Sequence, residues 1–236
     1  TVGFPTSFGS RAQDGEPMPT RDVEMVARIR KAGALIIGKT NTPSYGVGTL
    51  AFNDVFGVTR NPWNLDTHGG GSSGGGAAVA AGLLPIADGS DMMGSLRNPA
   101  AFCNIYGFRP SWGLVPGDAE GDTHLATLAT EGPMGRTVED VARLLSVQAG
   151  ENQEVPFGRA GADFGALLDV DMRGKRIAWL GDWGGAYQVE PGILELCEAG
   201  LQVFTDLGAQ VDEWRERARI AGWAVDSWDH VKVGAA

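Results

Sequence analysis

One glycine-rich stretch, THGGGSSGGGAAVAAG at residues 67–82, constrains the fold of this chain more than any other. Six of the eight residues from Gly69 to Gly76 are glycine, and the other two are adjacent serines. Flexible linkers are flanked by polar sequence, whereas this stretch runs directly into the apolar segment AAVAAGLLPIA. We therefore expect a loop followed by a packed helix, whose free N–H groups and positive dipole end point at whatever the loop binds. Two interpretations remain open, an anion site and a catalytic site.

The flanking sequence argues against a nucleotide loop and against zinc. A P-loop needs a lysine after its last glycine, and a dinucleotide fingerprint needs its glycines directly after a strand. No lysine follows the loop, and the preceding residues, NPWNLDTH, are not predicted to form a strand. The three histidines and two cysteines lack the spacing of a zinc site, and there is no GxSxG elbow. His68, beside the loop, is the only histidine well placed to act as a base.

Composition excludes several classes of partner. The 236 residues carry a formal net charge of −10, and no basic patch is present, so nucleic acid and anionic membrane surfaces are poor partners. No apolar run reaches the roughly 18 residues that span a bilayer. The two cysteines are interpreted as reduced structural thiols, which together with the composition predicts a cytoplasmic protein.

Helical and strand-like patterns alternate along the chain, which predicts an α/β layered fold. Thr20 is expected to cap the first helix, and Thr137 with Asp140 forms a capping-box-like start to a later one. The predicted helices lie at 22–32, in the alanine run after the glycines, at 138–148 and from Pro191 to Gly208, the predicted strands at 34–38, 83–87, 174–181 and 209–214, and an ordered loop at 43–70.

A second glycine-containing turn, DMMGSL, offers the chemistry of a serine nucleophile. Ser95 is the candidate nucleophile, and the run of amides from Met92 to Ser95 could face its oxyanion. The alternative is structural, with the two glycine turns only packing a helix against a sheet.

Taken in order, these blocks resemble the amidase signature family. The matching stretches are GALIIGKTNTPSYG, NPWN, GGSSGG, GLLPIADGSDMMGSLRNPAAFCNIYGFRPSWGLVPG and EGPMGRTVEDVARLL. The resemblance implies an α/β fold in which helices cover both faces of a mixed β-sheet. It assigns residues 1–150 to the amidase signature core and 151–236 to a truncated continuation of the same domain.

The resemblance also implies the site residues, through a Ser-cisSer-Lys triad. Ser95 matches the nucleophile, and Ser72 matches the bridging serine that follows a cis peptide bond in the family. The supporting positions are Ser73 as a neighbouring donor, Met92, Met93, Gly94 and Ser95 as the oxyanion hole, and Asp91 and Arg97 as polar braces of this turn. No metal or cofactor is implied.

The implied function is hydrolysis of a carboxamide C–N bond in a small molecule, through an acyl-enzyme. Two alternatives stay open: a non-catalytic protein of the same fold that binds an amide, an acyl group or a partner, and an amidotransferase subunit. A homo-oligomer is compatible with the sequence.

The chain departs from the family pattern in three places. The family's triad lysine lies on a strand upstream of the segment matched by GFPTSFGS, and none of the four lysines, Lys31, Lys39, Lys175 and Lys232, is in that motif. The spacing from Ser72 to Ser95 is one residue shorter than in the family, and the C-terminal part of the family's domain has no match. We therefore expect a fragment that lacks its general base, unless His68 or Lys39 takes that part.

Overall fold

The computed structural model describes residues 1–71, 74–117, 124, 127–183 and 185–213. The chain divides into two compact units, Thr1–Leu168 and Asp169–Ala236. Each unit combines helices with β-strands, as expected of an α/β fold.

The described part of the first unit contains helices and short strands in the following order. They are α1 (Glu24–Lys31), β1 (Phe52–Asn53), β2 (Gly57–Val58), β3 (Arg60–Asn61), β4 (Asn64–His68), α2 (Gly74–Ala80), β5 (Ile86–Asp91), α3 (Arg97–Cys103), β6 (Tyr106–Gly107), β7 (Thr130–Gly135) and α4 (Val138–Gln148).

The largest described sheet of the first unit has three antiparallel strands in the order β5-β7-β6. Asp91, the last residue of β5, pairs with Thr130, the first residue of β7. The helices α2 and α4 pack against β5 and β7. Beside them lies an apolar core made of Met25, Val26, Ile29, Val115, Leu144 and Leu145. The turn that follows β5 is therefore attached to the best-packed sheet of this unit.

Helix α4 begins as predicted. The side chain of Thr137 accepts a hydrogen bond from the Asp140 N–H at 3.1 Å, which satisfies one of the free amides of the first turn. The predicted range 138–148 is confirmed, and Val141, Leu144 and Leu145 form its buried face.

Helix α1 begins later than predicted. Its N-cap is Val23, which makes no side-chain capping hydrogen bond, so the proposed cap by Thr20 is wrong. Apolar burial fixes this helix instead, because Met25, Val26 and Ile29 lie on one face. It ends before Gly33, whose positive φ of 89° suits glycine.

The buried strand predicted at residues 34–38 is wrong. Leu35 and Ile37 are 91% and 70% exposed, whereas Ala34 and Ile36 pack against the apolar core. The segment keeps the alternation of a strand, but no described strand pairs with it, and a β-strand requires a hydrogen-bonded neighbour.

The region 43–70 contains more β-structure than predicted. Strands β1 and β2 form one antiparallel hairpin, and β3 and β4 form another. The segment NPWNLDTH therefore does include a strand, Asn64–His68, against our expectation. Its hairpin pairing is antiparallel, unlike the parallel βαβ unit of a dinucleotide site, so the argument against a nucleotide loop is unchanged. The next predicted strand also shifts, from 83–87 to β5 at Ile86–Asp91.

The second unit contains β8 (Arg176–Trp179), α5 (Ile193–Asp206) and β9 (Gln210–Glu213). Strands β8 and β9 pair in parallel, with Arg176 opposite Gln210. The predicted strand, helix and strand are confirmed here as far as Glu213, and the rest of the predicted range lies outside the described residues. Within the described chain, no helix combines the length and the apolar character needed to cross a membrane.

Glu131, in β7, should make the free energy of unfolding depend on pH. Burial raises its pKa to about 7, and the charge of Asp88 adds to this effect, because Asp88 and Ser90 share a face and Ser90 pairs with Glu131. The folded chain then holds this proton to a higher pH than the unfolded chain does. We expect the free energy of unfolding to fall by about 2–3 kcal/mol between pH 4.5 and 7 because of this group.

Glu131→Gln should remove that decline, which urea unfolding at several pH values measures. Glu154→Gln, at an exposed glutamate, is the matched control and should leave the slope unchanged. Equal slopes in the wild type and Glu131→Gln would contradict the assignment.

Candidate active site

The turn between β5 and α3 holds Ser95, the predicted nucleophile. Asp91 ends β5 and is fully buried, because its side chain lies on the inward face of the strand. Ser95 stands two residues before α3 and is half-buried. The side chains of Met92 and Met93 are 55% and 65% exposed, so the outer face of this turn is open to solvent.

The Asp91 carboxylate organises the turn. It accepts the Gly94 N–H at 2.8 Å and the Leu96 N–H at 3.3 Å. Arg97 binds it through two nitrogens, at 2.9 Å for Nε and 3.0 Å for Nη2. Burial alone would raise the pKa of Asp91, but these hydrogen bonds outweigh it and lower the pKa. The structure thus places Asp91 and Arg97 together, where they brace the turn.

The same carboxylate divides the amides of the turn into two groups. The N–H of Gly94 points at Asp91, whereas the N–H groups of Met92, Met93 and Ser95 have no acceptor among the described residues. Gly94 has a φ of 114°, and a Cβ there would lie 2.6 Å from Asn98 Nδ2. Glycine is therefore required at this position for both conformation and space.

The glycine-rich loop packs on helix α3. A Cβ on Gly71 would lie 2.3 Å from Pro99 Cδ, and one on Gly76 would lie 2.8 Å from Pro99 Cβ. Gly74 donates its N–H to the carbonyl of Asn41 at 2.8 Å, and a Cβ there would lie 2.9 Å from Asn41 N. These contacts bring the loop beside the helix that follows Ser95.

Ser72 and Ser73 lie outside the described residues, as does the peptide bond that precedes each of them. Their predicted parts as bridging serine and neighbouring donor stay predictions. Gly71 and Gly74 flank them, and both of these glycines have fixed packing partners.

Neither alternative base contacts Ser95. The Nδ1 atom of His68 accepts the Gly70 N–H at 3.1 Å, and its ring lies 4.8 Å from the ring of Phe102. Lys39 donates to the Thr6 hydroxyl at 2.7 Å. Burial lowers the pKa of Lys39, and the charge of Asp88 partly opposes this shift.

His68 also lines a cleft of about 440 Å³ beside the loop. Its walls come from residues 43–58 and are largely apolar, with Val47, Leu50 and Phe52 among them. These three side chains are exposed, so the cleft presents an apolar surface to solvent.

Arg109 contacts this turn from a distant segment, and the sequence analysis missed it. Arg109 Nε lies 3.3 Å from both the carboxylate Oδ1 and the carbonyl oxygen of Asp91. Its Nη2 donates to the carbonyl of Leu128 at 2.7 Å. A single arginine after a short strand carries no sequence signal, because its role depends on the sheet bringing Asp91 close to it.

Comparison with known proteins places these features in a family. The sequence model of the family described as Amidase matches residues 1–221. An acylamidase of Rhodococcus erythropolis is 40% identical over 218 residues, 89% of this chain and 44% of the relative. A glutamyl-tRNA(Gln) amidotransferase subunit of Symbiobacterium thermophilum is 41% identical over 218 residues, 90% of this chain and 44% of the relative.

A solved structure agrees with the sequence comparisons. The crystal structure of a bacterial aryl acylamidase of the amidase signature enzymes superposes with a TM-score of 0.83 and 36% identity. The match covers 90% of this chain and 44% of that protein. The chain thus spans 44% of the length of each of these three relatives.

Proposed function

The chain belongs to the amidase family, and on that premise we propose that it hydrolyses carboxamide C–N bonds through an acyl-enzyme on Ser95. One observation carries this proposal. The turn that presents Ser95 is held by a buried carboxylate, and three of its N–H groups, those of Met92, Met93 and Ser95, have no acceptor among the described residues. Such preorganised donors stabilise the oxyanion of a tetrahedral intermediate.

Ser95 and Ser72 carry the first two steps of the proposed proton relay. Ser95 Oγ attacks the amide carbon and forms the C–O bond, while its proton passes to Ser72. Ser72 passes the proton on to a neutral lysine, which the family carries on a strand ahead of the segment matched by GFPTSFGS. The carbonyl oxygen takes up the negative charge beside the free N–H groups.

Collapse of the intermediate breaks the C–N bond, and the relayed proton goes to the leaving amine. Water then attacks the ester carbon and releases the acid and free Ser95. Of the four predicted oxyanion donors, we assign this part to Met92, Met93 and Ser95. The Gly94 N–H is already donated to Asp91, so Gly94 shapes the turn.

The substrate we propose is a small-molecule amide, handled in the cytoplasm without nucleic acid or membrane. The net charge of −10 supports the absence of nucleic acid, and the apolar walls of the cleft beside His68 support a substrate with an apolar group. Residues 1–150 supply the core of this site, and a homo-oligomer is compatible with it.

An amidotransferase component is the second candidate, because one relative at 41% identity belongs to such an enzyme. A hydrolase passes its acyl group to water unaided, whereas an amidotransferase subunit would depend on a partner. A non-catalytic binding protein of the same fold is the third outcome and would form no acyl-enzyme.

Partitioning with hydroxylamine separates these candidates. An amide and an ester with the same acyl group are each offered to the chain, to the chain carrying a relative's lysine strand ahead of Thr1, and to its Ser95→Ala variant. A common acyl-enzyme predicts the same ratio of hydroxamate to acid from both substrates, and no product from Ser95→Ala. No turnover in either version would contradict the hydrolase, and product formation by Ser95→Ala would contradict the role of Ser95.

A further inference from the structure

The main chain of Asp91 pairs with Thr130 of β7, but three of the contacts made by its side chain are local to the turn. The Gly94 N–H, the Leu96 N–H and the Arg97 guanidinium all lie within six residues of Asp91 in the chain. Beyond that main-chain pair, local contacts alone would let the turn move as one body. Near-attack geometry tolerates little displacement, so a site of this kind needs a tie to a distant segment.

Arg109 supplies that tie. It follows β6, which pairs with β7 on the side opposite to β5. Its side chain is 30% exposed, and it contacts both the carboxylate and the main-chain carbonyl of Asp91 at 3.3 Å. Its other end holds the carbonyl of Leu128, two residues before β7, at 2.7 Å. Arg109 therefore adds a side-chain link between the end of β5 and the entry of β7, beside the main-chain pair of Asp91 and Thr130.

We propose that Arg109 is a positioning residue, which holds the Met92–Ser95 turn in register with the sheet so that its amides face the oxyanion. This inference rests on the proposed acyl-enzyme at Ser95. Its planar guanidinium presents several donors in a fixed fork, so that one side chain satisfies Asp91 and Leu128 at once. A lysine ammonium is a point charge on a flexible stem and cannot reproduce this geometry.

The charges at this position support the same role. One buried carboxylate faces two guanidinium groups, those of Arg97 and Arg109. These three groups together carry a net positive charge, which favours negative charge that develops on an oxyanion at the turn.

The test compares Arg109→Gln with Arg136→Gln. Arg136 also ties main-chain carbonyls, donating to Val79 at 3.2 Å and to Leu84 at 3.0 Å, but it makes no contact with Asp91. Arg136→Gln loses two hydrogen bonds to main-chain carbonyls, whereas Arg109→Gln also loses an ion pair with a buried carboxylate, so the melting temperature should fall in both variants and further in Arg109→Gln. In the chain carrying a relative's lysine strand ahead of Thr1, the rate constant for phosphonylation of Ser95 by a fluorophosphonate, which releases fluoride, should fall about 10- to 100-fold in Arg109→Gln and stay close to the unsubstituted value in Arg136→Gln. Arg109→Lys should recover only part of the loss.

Hydrogen exchange of the turn keeps the proposal testable if Ser95 is not labelled. Absence of labelling in the version with the lysine strand would contradict the proposed function, and exchange at the Gly94 and Leu96 amides would then decide the part played by Arg109. Faster exchange there in Arg109→Gln, but not in Arg136→Gln, supports the positioning role. Unchanged exchange, or equal labelling rates in the two variants, would overturn it.

Discussion

Asp91→Asn is expected to lower the free energy of unfolding by about 3 kcal/mol and to slow the labelling of Ser95 by a fluorophosphonate at least about 100-fold. The Asp91 carboxylate is fully buried and holds two arginines and two amides at once. Asparagine keeps the size of the side chain but removes the charge and replaces one acceptor oxygen by a donor. Arg97 and Arg109 would then lose their counter-charge, and the turn would lose the acceptor that shapes it. Urea unfolding and the rate of fluorophosphonate labelling measure the two effects.

Asp171→Asn is the matched control, because Asp171 also pairs with an arginine, Arg173, at 2.7 Å, but on the exposed surface. We expect no measurable change there, since exposed ion pairs contribute little. Acid titration adds a check of the sign. The pKa of Asp91 is lowered in the folded chain, so its contribution is present above about pH 4 and is lost as the pH falls. The Asn variant should lack this part of the acid dependence, and an unaltered acid transition would contradict the role of Asp91.

Gly71→Ala is the second change with a large expected effect. Gly71 has a φ of 54°, and a Cβ there would lie 2.3 Å from Pro99 Cδ and 2.9 Å from Pro99 Cγ. The proline ring cannot rotate away, so either the loop or helix α3 must move. We expect a loss of about 2–4 kcal/mol from conformational strain and overpacking, measured by urea unfolding. Labelling of Ser95 should also collapse, because Ser72 follows Gly71 directly.

The strain and the clash can be separated with Gly57→Ala. Gly57 has a φ of 75°, but nothing lies within 4 Å of its would-be Cβ. That variant should lose only the cost of the left-handed conformation, about 1–2 kcal/mol, and should keep Ser95 reactive. If Gly71→Ala is no more damaging than Gly57→Ala, then the loop does not pack on α3 as described.

The sequence predicted those features that depend on interactions between residues close together in the chain. Thr137 caps α4 because its hydroxyl accepts a hydrogen bond from the N–H of Asp140, three residues later in the chain. The sequence spacing alone predicts this bond. The glycines of the loop also belong to this class, since a run of glycine beside an alanine helix indicates close backbone approach. The structure shows that the residue approached so closely is Pro99.

Features that depend on distant parts of the chain could not be predicted. Residues 34–38 have the apolar pattern of a strand, but a strand also needs a neighbour, and none of the described strands pairs with them. Arg109 acquires its role only when the sheet order β5-β7-β6 brings it to Asp91. The Gly94 amide could be assigned to Asp91 only from the geometry of the turn.

Labelling of the chain with a fluorophosphonate, followed by mass spectrometric location of the adduct, tests the central claim most directly. It is carried out on the 236-residue chain, on the version with a relative's lysine strand ahead of Thr1, and on Ser95→Ala in both. We expect an adduct on Ser95 in the version with the lysine strand, and none in its Ser95→Ala variant. An adduct on another residue, or none with the lysine strand present, would contradict the assignment of Ser95 as nucleophile.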